Sequence, residues 1–160
     1  MSDFTLRPIQ ENDRTWIKQF AIDHWGAEIV VAHGVIYRPH ALPGFIVVER
    51  GKAIGVITYQ INARSCEIVT LDSLQAGRGI GTALIESVRA TASQSGCTRI
   101  WLITTNDKLN ALRFYQKRGF ELVAVQRGAI ERSRQIKPEI PLIGEHGIPI
   151  RDEIELELWV

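Results

Sequence analysis

Gly77-Arg78-Gly79-Ile80-Gly81-Thr82 is the stretch on which the organisation of this chain turns, because the hydrophobic period changes across it. Residues 65–73 before it alternate as a strand does. After it, apolar residues fall at Ile80, Ala83, Leu84, Val88 and Ala92, one face of a helix. The clustered glycines let the backbone take turn angles and approach a ligand without intervening Cβ atoms. The unpaired N–H groups of the first helical turn then face an anion, and the helix dipole adds to their pull. A turn that only packs helix on sheet is the alternative. A P-loop ends in Gly-Lys-Ser/Thr, whereas Gly81-Thr82 has no lysine, and a Gly-x-Gly-x-x-Gly fingerprint would need its last glycine where Thr82 stands. A pyrophosphate of another kind remains.

Working outward, residues 45–73 form a meander of three antiparallel strands, with turns at Arg50-Gly51-Lys52 and Asn62-Ala63-Arg64. Upstream, residues 4–9 read as a first strand with Pro8 near an edge or exit. Asn12 or Asp13 caps a helix that carries Trp16, Ile17, Phe20 and Ile22 and ends at Gly26. Glu28 to Val31 is either a short strand or one helical turn, and Pro39 and Pro43 mark a loop. Downstream, Gly96 stops the glycine-led helix and Arg99 to Thr105 is a strand. Asn106 and Asp107 cap a helix closed by Gly119, and residues 120–125 return as a strand. The strand-helix alternation over 65–125 is α/β in character and requires some parallel pairing. The stretch 126–152, rich in Arg, Pro and Gly, is expected to be an ordered insertion with a turn of helix near 130–136. Ile154, Leu156, Leu158 and Val160 then alternate with Glu153, Glu155, Glu157 and Trp159 in a last strand with one wet face.

The chain has 160 residues and 18.0 kDa, which fits one domain, residues 1–160, that builds its core without disulfides or metal. Lys and Arg number 19 against 18 Asp and Glu, and no basic stripe is visible, so no nucleic-acid partner is expected. No stretch reaches the roughly 18 apolar residues of a membrane span. Met1-Ser2-Asp3-Phe4 does not open a basic leader with an apolar run, so a cytoplasmic protein is expected. Cys66 and Cys97 read as reduced, half-buried thiols. No Cys/His cluster has ligand spacing and no His-Glu-x-x-His is present, so no metal is expected.

Three linked features make the chain resemble the GCN5-related N-acetyltransferase (GNAT) superfamily. They are Val69-Thr70-Leu71-Asp72 followed by Arg78-Gly79-Ile80-Gly81 and Ala83-Leu84, the spacing to the apolar strand at 99–105, and Ala111-Leu112-Arg113-Phe114-Tyr115-Gln116-Lys117-Arg118-Gly119-Phe120. The resemblance covers about residues 4–125, and the tail 137–153 resembles that of a small uncharacterised bacterial-type branch. It implies a mixed α/β sheet of six or seven strands with helices on both faces, whose fourth and fifth strands splay to admit a pantetheine arm. It implies acetyl-CoA as cosubstrate, no metal, and attack by a primary amine without an acyl-enzyme. Two places depart from the family pattern. Ala76 stands where it has Gln or Arg, with Gln75 one residue early, and Lys108 stands where it often has Asn, between Asn106 and Asn110.

Carried onto these residues, the resemblance implies cofactor contacts from Leu71, Asp72, Gly77, Arg78, Gly79, Ile80, Gly81, Thr82, Asn106, Asn110 and Tyr115. A backbone N–H near Leu71 would stabilise the oxyanion, and Tyr115 is the candidate acid for the leaving thiolate. Glu67 is the candidate base, since period two places Glu67, Val69 and Leu71 on one face. Asp72 is an alternative if a bulge re-aims it. His24, Trp25 and His33 lie where the family places part of its acceptor site, with His40 nearby. Arg151, Asp152, Glu153, Glu155 and Glu157 are candidates for selecting a cationic acceptor. Arg132, Arg134 and Lys137 are candidates for the 3′-phosphate of coenzyme A or a partner chain. The expected function is N-acetylation of a small-molecule or peptide amine, and family analogy leaves a homodimer open. Use of another acyl group, or a non-catalytic coenzyme A sensor, stays open.

Overall fold

The computed structural model describes residues 3–160. Its centre is the expected meander, β4 (Gly44–Glu49), β5 (Lys52–Asn62) and β6 (Ser65–Ser73), with β1 (Thr5–Pro8) paired outside β4. Helix α1 (Arg14–Trp25) follows β1 and ends where Gly26 turns left-handed at φ 82°. Asp13 occupies the N-cap position of α1 without capping it. Its carboxylate instead takes Arg7 in a bidentate pair at 2.7 and 3.0 Å, together with the N–H of Gln10.

The stretch 27–43 resolves into a hairpin, β2 (Val30–Ala32) and β3 (Val35–Tyr37). Its two-residue turn, His33-Gly34, has φ of 42° and 79°. Positive φ at both central positions is what a type I′ hairpin turn requires, and Gly supplies it freely while His tolerates it.

Helix α2 (Ile80–Gln94) crosses from β6 to β7 (Arg99–Thr105), and these two strands form the parallel pair. The α2 face that meets the sheet is Ile80, Leu84, Ile85, Val88 and Ala92, all fully buried. Burial of each larger aliphatic is worth about 1.5–3 kcal/mol. Helix α3 (Leu109–Lys117) and β8 (Glu121–Gln126) follow, then α4 (Ala129–Ile136), which extends the expected turn to a full helix. Strand β9 (Glu153–Trp159) inserts between β7 and β8, antiparallel to both, giving a seven-stranded order β1-β4-β5-β6-β7-β9-β8.

The insertion between α4 and β9 is held by side chains reaching its backbone. The guanidinium of Arg134 donates to the carbonyls of Ile140, Pro141 and Ile150. Asp107, fully buried, does not cap α3. It accepts from the Thr105 hydroxyl and from the N–H of Glu145 at 3.0 Å. The Asn106 amide likewise turns to the insertion, donating to the Pro149 carbonyl and accepting from the N–H groups of Arg151 and Asp152. Cys66 and Cys97 are free and buried, and burial lifts the Cys66 thiol to about 12. No helix among the described residues is long and apolar enough to cross a membrane.

Candidate active site

Strands β6 and β7 pair only from Ser65↔Arg99 to Ile68↔Leu102. Beyond that point β7 runs on with β9 up to Thr105↔Glu153, while β6 runs on with β5 up to Ser73↔Gly55. The two strands therefore diverge, and a cleft of about 200 Å³ opens at the vertex. Its walls come from Val30, Val31 and Ala32 of β2, Glu67, Ile68 and Val69 of β6, and Ile103, Thr104 and Thr105 of β7, with Lys108 and Glu153 beside them.

A one-residue bulge lies at the same point. The β5–β6 register steps from Thr58↔Thr70 to Tyr59↔Ile68, which leaves Val69 without an opposite residue. An extra residue flips the side-chain parity of everything beyond it. Period-two spacing predicts that Glu67, Val69 and Leu71 share a face; the bulge overturns this. Glu67 shares its face with Thr70 and Asp72, whereas Leu71 joins Ile57 and Ile68 in the core beneath α2. The Thr58 and Thr70 hydroxyls, 2.6 Å apart, mark the continued pairing on the Glu67 side.

Glu67 is 5% exposed at the vertex. Both of its oxygens are hydrogen-bonded, Oε1 by the Tyr37 hydroxyl and Oε2 by His33 Nε2 at 2.9 Å. Burial, reinforced by the Glu67 carboxylate, raises the Tyr37 phenol well above the usual tyrosine range, so Tyr37 stays a donor. The His33 N–H is shared between both oxygens of Glu153 at 3.1 and 3.2 Å, and its ring lies 5.0 Å from that of Trp101. Glu153 is 3% exposed, so the last strand's acidic edge is not the solvated face that alternation predicts. Glu155 and Glu157 are taken by Arg99, whose guanidinium lies over Trp101.

At the other end of β6, Gly77 and Gly79 sit at φ 77° and 74°, each with open space where a Cβ would stand. The first α2 bond is from Ala83 N–H to the Gly79 carbonyl, so the N–H groups of Ile80, Gly81 and Thr82 carry no intrahelical partner. Arg78 does not reach across this turn, since its guanidinium is paired with Glu49 at 2.7 and 3.0 Å. The cation that does stand there is Arg118, a residue that sequence reasoning passed over. Its Nε donates to the Thr82 hydroxyl at 2.8 Å and its guanidinium lies 3.6 Å over the Phe114 ring. The signal was present in its place two residues before Phe120.

Tyr115 is buried in the α2-side core, edge-on to Phe114 and Phe120. Burial, and then the charge of Asp72, raise its phenol, which keeps the proton on oxygen. Asp72 itself is lifted to about 6 by burial, against the opposing pull of His24 and Lys108. His24 is stacked on Phe20 at 4.0 Å and Trp25 meets the same ring edge-on. Asn110 is exposed on α3, and Arg151 is exposed and pairs with the adjacent Asp152 at 3.1 Å. The structure thus brings Glu67 and His33 together and leaves His24, Trp25 and Arg151 outside that cluster.

Residues 6–120 match the family described as Acetyltransferase (GNAT) family. The chain belongs to the GNAT acetyltransferase family. Among relatives of this GNAT protein, the uncharacterized protein YdhI of Bacillus subtilis (strain 168) is 47% identical over 148 residues, covering 92% of each chain. Its fold is shared with the IAA acetyltransferase from Bacillus cereus ATCC 14579, at a TM-score of 0.72 and 19% identity over 98% of this chain and 99% of the other. It is also shared with a GNAT family acetyltransferase from Elizabethkingia anophelis, solved with acetyl-CoA bound, at a TM-score of 0.71, 18% identity and full coverage of both. The GNAT assignment accords with the mixed sheet, the splay after Ile68 and the glycine turn at the start of α2.

Proposed function

We propose that this chain is an N-acetyltransferase that moves an acetyl group from acetyl-CoA to a primary amine, of a small molecule or a peptide, by direct attack. The observation that carries the reading is the splay. A cleft opens where β6 and β7 diverge, with a buried, hydrogen-bonded carboxylate, Glu67, in its wall, and the glycine turn follows β6 in the chain. The residues present fit the cosubstrate. Gly77 and Gly79 leave room for a pyrophosphate, the N–H groups of Ile80, Gly81 and Thr82 face it, and Arg118 adds a fixed positive charge.

In this reading a β6 backbone N–H beyond the vertex, near Leu71, holds the thioester carbonyl oxygen as it gains charge. Tyr115, kept protonated by its surroundings, gives a proton to the departing thiolate. The amine enters beside Glu67 and loses its proton there. Asn106 is engaged by the insertion and takes no part in holding the cosubstrate. The protein works as a single cytoplasmic domain, and a homodimer is compatible with it.

The test is a thermal-shift titration with acetyl-CoA, coenzyme A, NAD and ATP at about 1 mM each. Saturable stabilisation by the two coenzyme A species alone supports the site by linkage. A panel of primary amines, followed by free-thiol release, then gives the acceptor class. Absence of any shift with acetyl-CoA and coenzyme A would sink the reading.

A further inference from the structure

We infer that the atom receiving the amine's proton is Nδ1 of His33, and that Glu67 is the residue that positions and charges-balances that ring rather than the base itself. This rests on the acetyl-transfer reading above and divides the roles within its site.

Glu67 is already in use. Each of its oxygens already accepts a hydrogen bond, from Tyr37 on β3 and from His33 on the hairpin turn. Each oxygen is thus already engaged by a donor before any amine arrives. The contact to His33 also fixes the ring's protonation pattern. Tyr37 gives its proton to Glu67, so the 2.9 Å contact between His33 Nε2 and Glu67 Oε2 needs its proton on Nε2. In the neutral ring the lone pair is then on Nδ1, for which the described residues supply no hydrogen-bond partner. Exposure separates the two side chains in the same sense, 31% for His33 and 7% for Glu67.

The ring is held from several directions. The His33 N–H is tied to Glu153 of β9, its ring rests against Trp101 of β7, and its backbone sits in the left-handed region at φ 42°. These restraints hold it at the end of β2, whose Val30, Val31 and Ala32 form a cleft wall. The groups facing it are therefore Glu67 from β6, Tyr37 from β3, Glu153 from β9 and the Trp101 ring from β7. The arrangement is a carboxylate orienting an imidazole through one nitrogen while the other does the proton transfer.

The amine nitrogen bonds to the thioester carbonyl carbon, the carbon–sulfur bond breaks, and the proton released by nitrogen goes to His33 Nδ1. The thiolate is protonated separately. Glu67 keeps its charge throughout and stabilises the imidazolium.

The first test needs no acceptor. Long-range proton–nitrogen NMR on histidine-labelled protein at pH 8, with His33 assigned by His33→Gln, is expected to show Nε2 protonated and Nδ1 bare. A proton on Nδ1, or the averaged shifts of a free imidazole, would overturn the inference. The second test uses acetyl-CoA and the primary amine turned over fastest in the panel. His33→Ala is expected to lose about 100-fold or more in kcat and to recover in part with added imidazole. Glu67→Gln is expected to lose about tenfold, with no imidazole response. A loss of 100-fold or more in Glu67→Gln beside a His33→Ala within threefold of the wild type would make Glu67 the base. Failure of the acetyl-transfer reading shows up separately, as absence of stabilisation by coenzyme A species, and leaves the NMR result standing.

Discussion

Replacing Asp72 by Asn should make the protein more stable at neutral pH. Asp72 lies beyond the Val69 bulge, on the Glu67 face of β6, and burial raises its carboxyl from 3.8 to about 6, His24 and Lys108 offsetting only part of the effect. Going from 3.8 to about 6, at 1.36 kcal/mol for each tenfold change in proton affinity, is worth about 3 kcal/mol. The folded state binds more protons than the unfolded one between the two values, so stability falls as pH rises through about 4 to 6 and stays lower above. Asn has no charge to desolvate. Urea unfolding at pH 4, 6 and 8 should give nearly equal stabilities at pH 4 and an advantage of up to about 3 kcal/mol for Asp72→Asn at pH 8. That corresponds to roughly 6–12 °C in Tm for a chain of this size. Taking the difference between variant and wild type cancels every other titrating group. If the two curves run parallel from pH 4 to 8, or if the variant is the weaker at pH 8, burial is not what governs Asp72.

Gly144→Ala places a Cβ 2.1 Å from Asp107 Oδ2 and 2.7 Å from Ile150 Cγ1, so the buried carboxylate must give up its bonds to Thr105 and Glu145. A loss of about 2–4 kcal/mol is expected in urea unfolding, and a change below about 0.5 kcal/mol would refute that packing. Tyr115→Phe keeps the ring among Phe114 and Phe120 and removes the phenolic proton, so thiol release should fall about 100-fold or more with Tm nearly unchanged. Gly79→Ala and Gly79→Asp share the strain of a left-handed backbone at φ 74°, about 1–2 kcal/mol. Isothermal titration should find coenzyme A bound tenfold or more weakly by Asp than by Ala, since only Asp sets a carboxylate against the pyrophosphate. Arg118→Ala should weaken coenzyme A binding most at low salt, a trend that titrations at two ionic strengths would check.

Much of this architecture was legible because local chemistry and tertiary structure agree there. The meander carries turn residues at Gly51 and Asn62, and α2 carries its apolar face from Ile80 to Ala92. The hairpin β2–β3 was not legible, because three-residue strands are too short for a period and His33 stands where a turn signal would favour Asn or Gly. The place of β9 between β7 and β8 depends on long-range pairing that no local pattern encodes. Asp13 and Asp107 look like helix caps by position, but each found a stronger competing partner, a bidentate arginine in one case and a buried loop N–H in the other. Glu153 alternates with apolar residues as a solvent-facing residue would, and only the hairpin turn lying over it explains its burial.

The bulge at Val69 accounts for why this sequence alternates as it does around its vertex. With strict alternation through 65–73, Glu67 would share a face with Leu71, and Asp72 with Ile68. One of two costs would follow. Either Glu67 would enter the core beneath α2 with Leu71, a charge beside Ile100 and Leu102, or Asp72 would enter it with Ile68, and in both cases Leu71 and Ile68 could not pack there together. The extra residue removes the conflict, keeping Ile68 and Leu71 with α2 and returning Thr70 and Asp72 to the Glu67 face. It does so one residue past Ile68, the last partner of β7, so the change of parity and the divergence of the strands fall together. A bulge increases local twist and bends the strand that carries it, and a bend in β6 at Val69 is the movement that takes it away from β7. The feature that opens the cleft is thus also the one that decides which β6 side chains face it.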